Sequence, residues 1–186
     1  MRKNPWKTLS SKVVYKNDFI TVTEDKVIRP DGKKGIYGFV KIPRTIGIVA
    51  LDNEKSIYLC RQYRYIFQDE SWEIPRGFVD KNESPLKAAE RELGEEAGLT
   101  AKKFTFISSL RLSIGIMDEE CKVYLAQELS KIKDFSVQKE EIEKVRKISF
   151  QEVLSMIKKG IIVDGLTVGA VLMLKEYLNG KISIYG

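Results

Sequence analysis

Apolar and polar positions alternate clearly along residues 36–42 and weakly along residues 13–22, with Asp31-Gly32 as a turn between the flanking segments. The first 45 residues therefore predict small strands. Two short apolar runs, 46–51 and 57–61, lie on either side of Asp52-Asn53, the pattern of a buried hairpin. The period then changes. Ser84 can cap free helical amides and Pro85 at the first helical position forfeits no needed donor, while Gly98 is a good stop. Between them Leu86, Ala89, Leu93 and Ala97 share one face at helical spacing, and Glu92 and Glu96 lie one turn apart beside it. Residues 104–112 and 122–126 read as further strands. Ser149-Phe150-Gln151-Glu152 forms a capping box opening a helix that Gly160 ends, and a last helix over residues 166–178 precedes Asn179-Gly180. Helices and strands are interspersed, so the predicted class is α/β of the α+β kind: a mixed sheet between helices, formed by residues 46–186, with a small β-rich extension over residues 1–45.

Composition narrows the classes. Apolar residues make up 43% and charged residues 31% of the 186, which suits one globular core rather than a disordered or fibrous chain. No apolar run approaches the roughly 18 residues that span a bilayer. The start carries Arg2, Lys3 and Lys7 without a following apolar stretch, so no secretory signal is expected and a cytoplasmic location is. Cys60 and Cys121 are far apart among strand-like apolar neighbours and predict buried, reduced thiols. There is no histidine, which removes histidine triads, imidazole proton shuttles and most zinc sites. Residues 1–50 carry a net +7, residues 51–100 a net −4 and residues 101–186 a net +3, an acidic middle between basic flanks.

That middle holds the chemistry. Like charges at three- and four-residue spacing repel on a helix, so Glu92, Glu95 and Glu96 need compensation from Arg91 and Lys87 or from bound cations. Hard divalent ions prefer carboxylate oxygen, and Mg²⁺ commonly takes one or two carboxylates together with substrate phosphate oxygens. Three glutamates on an arbitrary helix would more often form a solvated face. The surrounding spacing reverses that reading. Gly77, five residues, Glu83, seven residues, then Arg91-Glu92-Leu93-Gly94-Glu95-Glu96-Ala97-Gly98-Leu99 resembles the complete Nudix box, with every fixed position filled.

The resemblance implies a Nudix-type fold and Mg²⁺-dependent hydrolysis, with Mn²⁺ substituting, of a nucleoside diphosphate linked to another group. By position Glu92 and Glu96 would be the principal metal ligands, Glu95 a further ligand and Arg91 their ion-pair partner, with Glu83 supporting the loop. The family offers a backbone carbonyl to metal from the residue before the box glycine, here Arg76, where a small residue is usual. Metals would polarise the diphosphate and activate water, and a carboxylate or the hydroxide itself would serve as base.

Further stretches resemble the ADP-ribose pyrophosphatase branch. Gln62-Tyr63-Arg64 and Trp72-Glu73-Ile74-Pro75 look like its approach to the box, with Arg64 matched to a phosphate or alternatively to a strand-end ion pair. Ser113-Ile114-Gly115 and Glu119 look like its Ser-Pro-Gly loop with isoleucine for proline. Substrate-binding positions implied by the branch are Arg61, Arg64, Glu73, Arg76, Gly77 and Glu119. Glu140-Glu141-Ile142-Glu143 falls where the branch carries a catalytic glutamate, which makes Glu141 the candidate base; an acidic turn is the alternative. In this branch the leading residues commonly form an intertwined homodimer, a role that suits residues 1–45.

The implied substrate is ADP-ribose, cleaved to AMP and ribose 5-phosphate; another nucleotide sugar or a dinucleotide would use the same box. A different class, a basic nucleic-acid-binding module, is suggested by the +7 of the first fifty residues. It lacks a helix-turn-helix, zinc or aromatic RNA-binding signature. A ligand-sensing relative is disfavoured by the intact glutamate set, and a diphosphate isomerase by the missing histidine.

Overall fold

The computed structural model describes residues 4–133, 135 and 142–180. The chain divides into two units, Met1–Arg44 with Ser113–Glu119, and Thr45–Leu112 with Glu120–Gly186.

The first unit is an antiparallel sheet of β1 (Lys7–Lys16), β2 (Thr21–Ile28) and β3 (Lys34–Lys41), in that order. The weak alternation along residues 13–22 belongs to two strands and not one, because the Asn17 side chain accepts from the amides of Phe19 and Ile20 and folds the chain back. The second turn is the expected one, with Gly32 at φ +84°. The segment Ser113–Glu119 joins this unit through Tyr37, whose hydroxyl donates to the Gly115 carbonyl at 3.0 Å, and through Asp118, which accepts from the Ile42 amide at 3.2 Å.

The second unit contains β4 (Thr45–Ala50), β5 (Ser56–Arg64), β6 (Asp69–Glu73), β7 (Arg76–Phe78), α1 (Pro85–Ala97), β8 (Leu99–Leu110), β9 (Cys121–Lys131), β10 (Ile142–Ser149), α2 (Phe150–Lys158) and α3 (Gly165–Leu178). Two sheets result, ordered β10-β5-β6 and β7-β4-β9-β8, with β4 and β9 parallel and the other neighbours antiparallel. The expected hairpin of residues 46–51 and 57–61 does not form. Only one bridge, Leu51 to Ile57, joins these strands, and each enters a different sheet. All six β4 residues are buried, as a central strand requires. Its alternate residues serve two layers: Ile46, Ile48 and Ala50 pack with Ala88, Ala89 and Leu93 of α1, while Val49 packs with Leu166, Ala170 and Leu174 of α3. This is the mixed α+β sandwich that the sequence pattern implies.

Helix α1 starts and stops where its caps dictate: the Ser84 side chain accepts from the Lys87 amide at 3.3 Å, and Gly98 closes it at φ +65°. Its packed face is rotated from the expected one. Leu86 is exposed and Ala88 is buried, because β4 and β7 lie against the side that carries Ala88, Glu92 and Glu96. Cys60 and Cys121 are both buried. Among the described residues no helix is long and apolar enough to cross a membrane.

Candidate active site

Helix α1 supplies the acids, and strands β5 and β7 supply what faces them. Arg91 organises the group. Its guanidinium grips Glu83 at two points, Nε to Oε1 at 3.1 Å and Nη2 to Oε2 at 3.0 Å, and donates to the Phe78 carbonyl at 2.9 Å. Nη1 also donates to Glu92 at 2.8 Å and to Glu95 at 3.1 Å. Hydrogen bonding to Glu83 holds the Arg91 guanidinium more firmly protonated than usual, against the opposing effect of burial, with Glu92 adding to it. The same bond holds the Glu83 carboxyl below the ordinary glutamate range despite burial, helped by the Asp80 amide that donates to it. Glu83 thus ties the loop to the helix, as its position in the spacing suggests.

Glu92 and Glu96 are 3% and 2% exposed. Glu96 accepts from the Arg76 backbone amide at 2.9 Å. Glu92 lies flat against Gly77: a Cβ on that residue would stand 1.9 Å from Glu92 Oε1, so the strand can pass only because no side chain is there. Both carboxylates line a cavity of ≈ 390 Å³ with Thr45, Gln62, Arg64, Arg76, Gly77, Phe78 and Asp80. A second cavity of ≈ 710 Å³ shares Arg64 and Arg76 and adds Phe67, Glu73, Val163 and Asp164 among others. Arg64 forms a forked ion pair with the buried Glu73, Nε to Oε1 at 2.7 Å and a second close contact from Nη2 to Oε2. Arg76 reaches Asp164 at 3.5 Å and Glu73 at 4.0 Å.

Glu92, Glu96, Arg64, Arg76 and Gly77 thus meet in one cavity, with Glu73 behind Arg64. Glu95 does not line it and is held by Arg91 with 30% of its side chain exposed. Arg61 projects from the opposite face of β5, pairs with Glu70 at 2.8 Å and Glu143 at 2.9 Å, and rests on the Trp72 ring. Glu119 is buried within the first unit's segment. Glu141 lies outside the described residues. Sequence reading passed over Gln62 and Asp164. Period-two alternation from Arg64 points to Gln62. Asp164 carries a helix-capping signature, accepting from the Thr167 amide at 2.8 Å.

Among the described residues no three acidic or thiol side chains converge into a ready-made cation cage. A divalent ion does not require one. Mg²⁺ keeps several waters and takes one or two carboxylates with substrate oxygens, and two nearly buried carboxylates lining one cavity are the hard, costly pair such an ion relieves. The residues fit the group.

The NUDIX domain family matches residues 41–164. The chain belongs to the Nudix family. A nucleoside diphosphate sugar hydrolase N-terminal domain matches residues 6–40. Over 178 residues this Nudix chain is 32% identical to the ADP-ribose pyrophosphatase of Bacillus subtilis (strain 168), covering 94% of this chain and 96% of that one. The methanol dehydrogenase activator of Bacillus methanolicus is 31% identical with the same coverage. The ADP-ribose pyrophosphatase of Mycobacterium tuberculosis (strain ATCC 25618 / H37Rv) is 28% identical over 97% of this chain and 88% of its own. The crystal structure of an ADP compounds hydrolase has the same fold, with a TM-score of 0.84 at 20% identity over 98% of this chain and 100% of the other. Membership makes the chain a Nudix pyrophosphohydrolase, a family that generally uses a divalent metal.

Proposed function

We propose that this Nudix enzyme hydrolyses the diphosphate bond of ADP-ribose to AMP and ribose 5-phosphate with Mg²⁺, Mn²⁺ substituting. The observation that carries the proposal is the ≈ 390 Å³ cavity, where the buried carboxylates of Glu92 and Glu96 share walls with the guanidinium-bearing Arg64 and Arg76. Acids suited to a divalent ion and cations suited to phosphate oxygens in one cavity match a metal-assisted diphosphate cleavage. The choice of ADP-ribose follows the two pyrophosphatase relatives.

Glu92 and Glu96 would hold the metal, with Glu95 assisting. When bound, the metal polarises the phosphoryl oxygens and makes water a better nucleophile. Arg91 anchors Glu92 and Glu95 through Nη1 and the loop through Glu83, which limits the freedom of the acids before substrate arrives. Arg64, oriented by Glu73, and Arg76 offer planar forks to diphosphate oxygens. Gly77 leaves the space beside its backbone that the Glu92 carboxylate occupies. Glu141 is assigned the removal of the water proton. Residues 1–45 are assigned to homodimer formation, and the enzyme to the cytoplasm.

A panel of ADP-ribose, nucleotide sugars, dinucleoside polyphosphates, a reduced dinucleotide and a coenzyme A derivative tests the reading, with Mg²⁺ or Mn²⁺ and product identification. Release of AMP and ribose 5-phosphate with ADP-ribose preferred is expected. Preference for another member corrects the substrate, and no cleavage of any member defeats the proposal.

A further inference from the structure

Buried polar groups normally have partners, and one without a partner needs an explanation. Among the described residues three buried side-chain atoms lack one: Asp25 Oδ1, Arg61 Nε and Gln62 Nε2. Only Gln62 belongs to a residue lining the ≈ 390 Å³ cavity. The residue is 3% exposed, on the central strand of the β10-β5-β6 sheet, where Ile142 and Ser71 are its neighbours in register. Its place there is fixed. Cys60, Gln62 and Arg64 alternate onto one face of β5, and Cys60 Sγ donates to the Glu96 carbonyl at 3.6 Å, which identifies that face as the one turned to α1.

An amide nitrogen can only donate. Glu92 and Glu96 line the same cavity, yet the Gln62 nitrogen takes neither as acceptor. Leaving it unsatisfied carries a desolvation cost, which an apolar side chain of similar shape would avoid. Such a cost persists at sites where a ligand later removes it. We propose that Gln62 is a substrate-contacting residue whose amide donates to a non-bridging oxygen of the diphosphate, between the phosphate-binding Arg64 and the acids of α1. This rests on the diphosphate-hydrolase reading of the cavity and adds a neutral donor to its charged ones. A neutral donor binds phosphoryl oxygen without competing with a cation for Glu92 and Glu96, as a third guanidinium would.

The test uses Gln62→Met and Gln62→Glu with three measurements: melting temperature, affinity for α,β-methylene-ADP by calorimetry with EDTA and with Mg²⁺, and kcat/KM on the compound that the wild type cleaves. Gln62→Met should melt at or above the wild-type temperature, because it removes an unsatisfied amide. It should bind the analogue roughly 10- to 100-fold more weakly, the worth of one hydrogen bond to a charged group. The melting shift caused by Mg²⁺ alone should be unchanged. A purely structural role predicts the reverse, a lower melting temperature with binding intact, and that result overturns the proposal. Gln62→Glu keeps the length and exchanges the donor for a charge, so its loss should be at least as large; wild-type binding by it also overturns the assignment, even if Gln62→Met does not fold. A wild type that binds the analogue and cleaves nothing defeats the functional reading alone, whereas wild-type turnover with both variants unaffected defeats the Gln62 assignment alone.

Discussion

Gly77→Ala puts one methyl group where the structure has a carboxylate. The new Cβ would lie 1.9 Å from Glu92 Oε1, 2.0 Å from its Cδ and 2.5 Å from Oε2, whereas ordinary contact begins near 3.4 Å, so the carboxylate has to move by about 1.5 Å. Gly77 has no positive φ, so the backbone accepts alanine and the clash is the whole perturbation. The obstructed group is the far end of a rotatable side chain. Folding should therefore lose only about 1 kcal/mol, while displacing a reacting-site group by more than 1 Å should lower kcat/KM about 100-fold. Steady-state kinetics with Mg²⁺ measures the second effect and thermal denaturation the first. In the Gly77→Ala background, Glu92→Gln should cost little more, since the two changes act on one group. Turnover close to the wild type in Gly77→Ala would refute the reasoning, for Glu92 would then not be needed at its position beneath β7.

Arg91→Met removes the contacts to Glu83, Glu92, Glu95 and the Phe78 carbonyl; allowing for partial exposure, it should cost about 2 kcal/mol, or roughly 4–8 °C in Tm, and Arg91→Lys should not restore it because an ammonium cannot form the fork. Glu83 titrates below its ordinary value in the folded state, so the stability it provides is complete above about pH 4.3 and fades as the pH falls through that lower value. Glu83→Gln should accordingly lower Tm at neutral pH and flatten its decline as the pH falls below about 4.3, followed by thermal melts across the acid range. Glu96→Gln should reduce turnover by about 100-fold or more and shrink the Mg²⁺-induced rise in Tm, measured by calorimetry; an undiminished rise would remove Glu96 from the metal ligands.

Short-range sequence determined much of this protein. Ser84, Pro85 and Gly98 delimit α1 because caps and stops act within a turn of where they stand, and the spacing from Gly77 to Leu99 identifies the family because each position sits on one loop and helix. Alternation located β3, since a pleat repeats every second residue, and short apolar runs located β4 and β5, whereas β6, β7 and β10 carry neither signal clearly. Partnership was not legible. Residues 46–51 and 57–61 look like a hairpin, but β4 takes β9, more than seventy residues later, as its parallel neighbour, and no local pattern encodes such a choice. The burial of Glu92 and Glu96 was also hidden: a helix with both apolar and acidic stripes does not say which one packs, and here β7 passes over the acids through the gap at Gly77. Tertiary structure alone turned Gln62 and Arg64 toward those acids and Arg61 away from them, because that depends on which face of the β10-β5-β6 sheet meets α1.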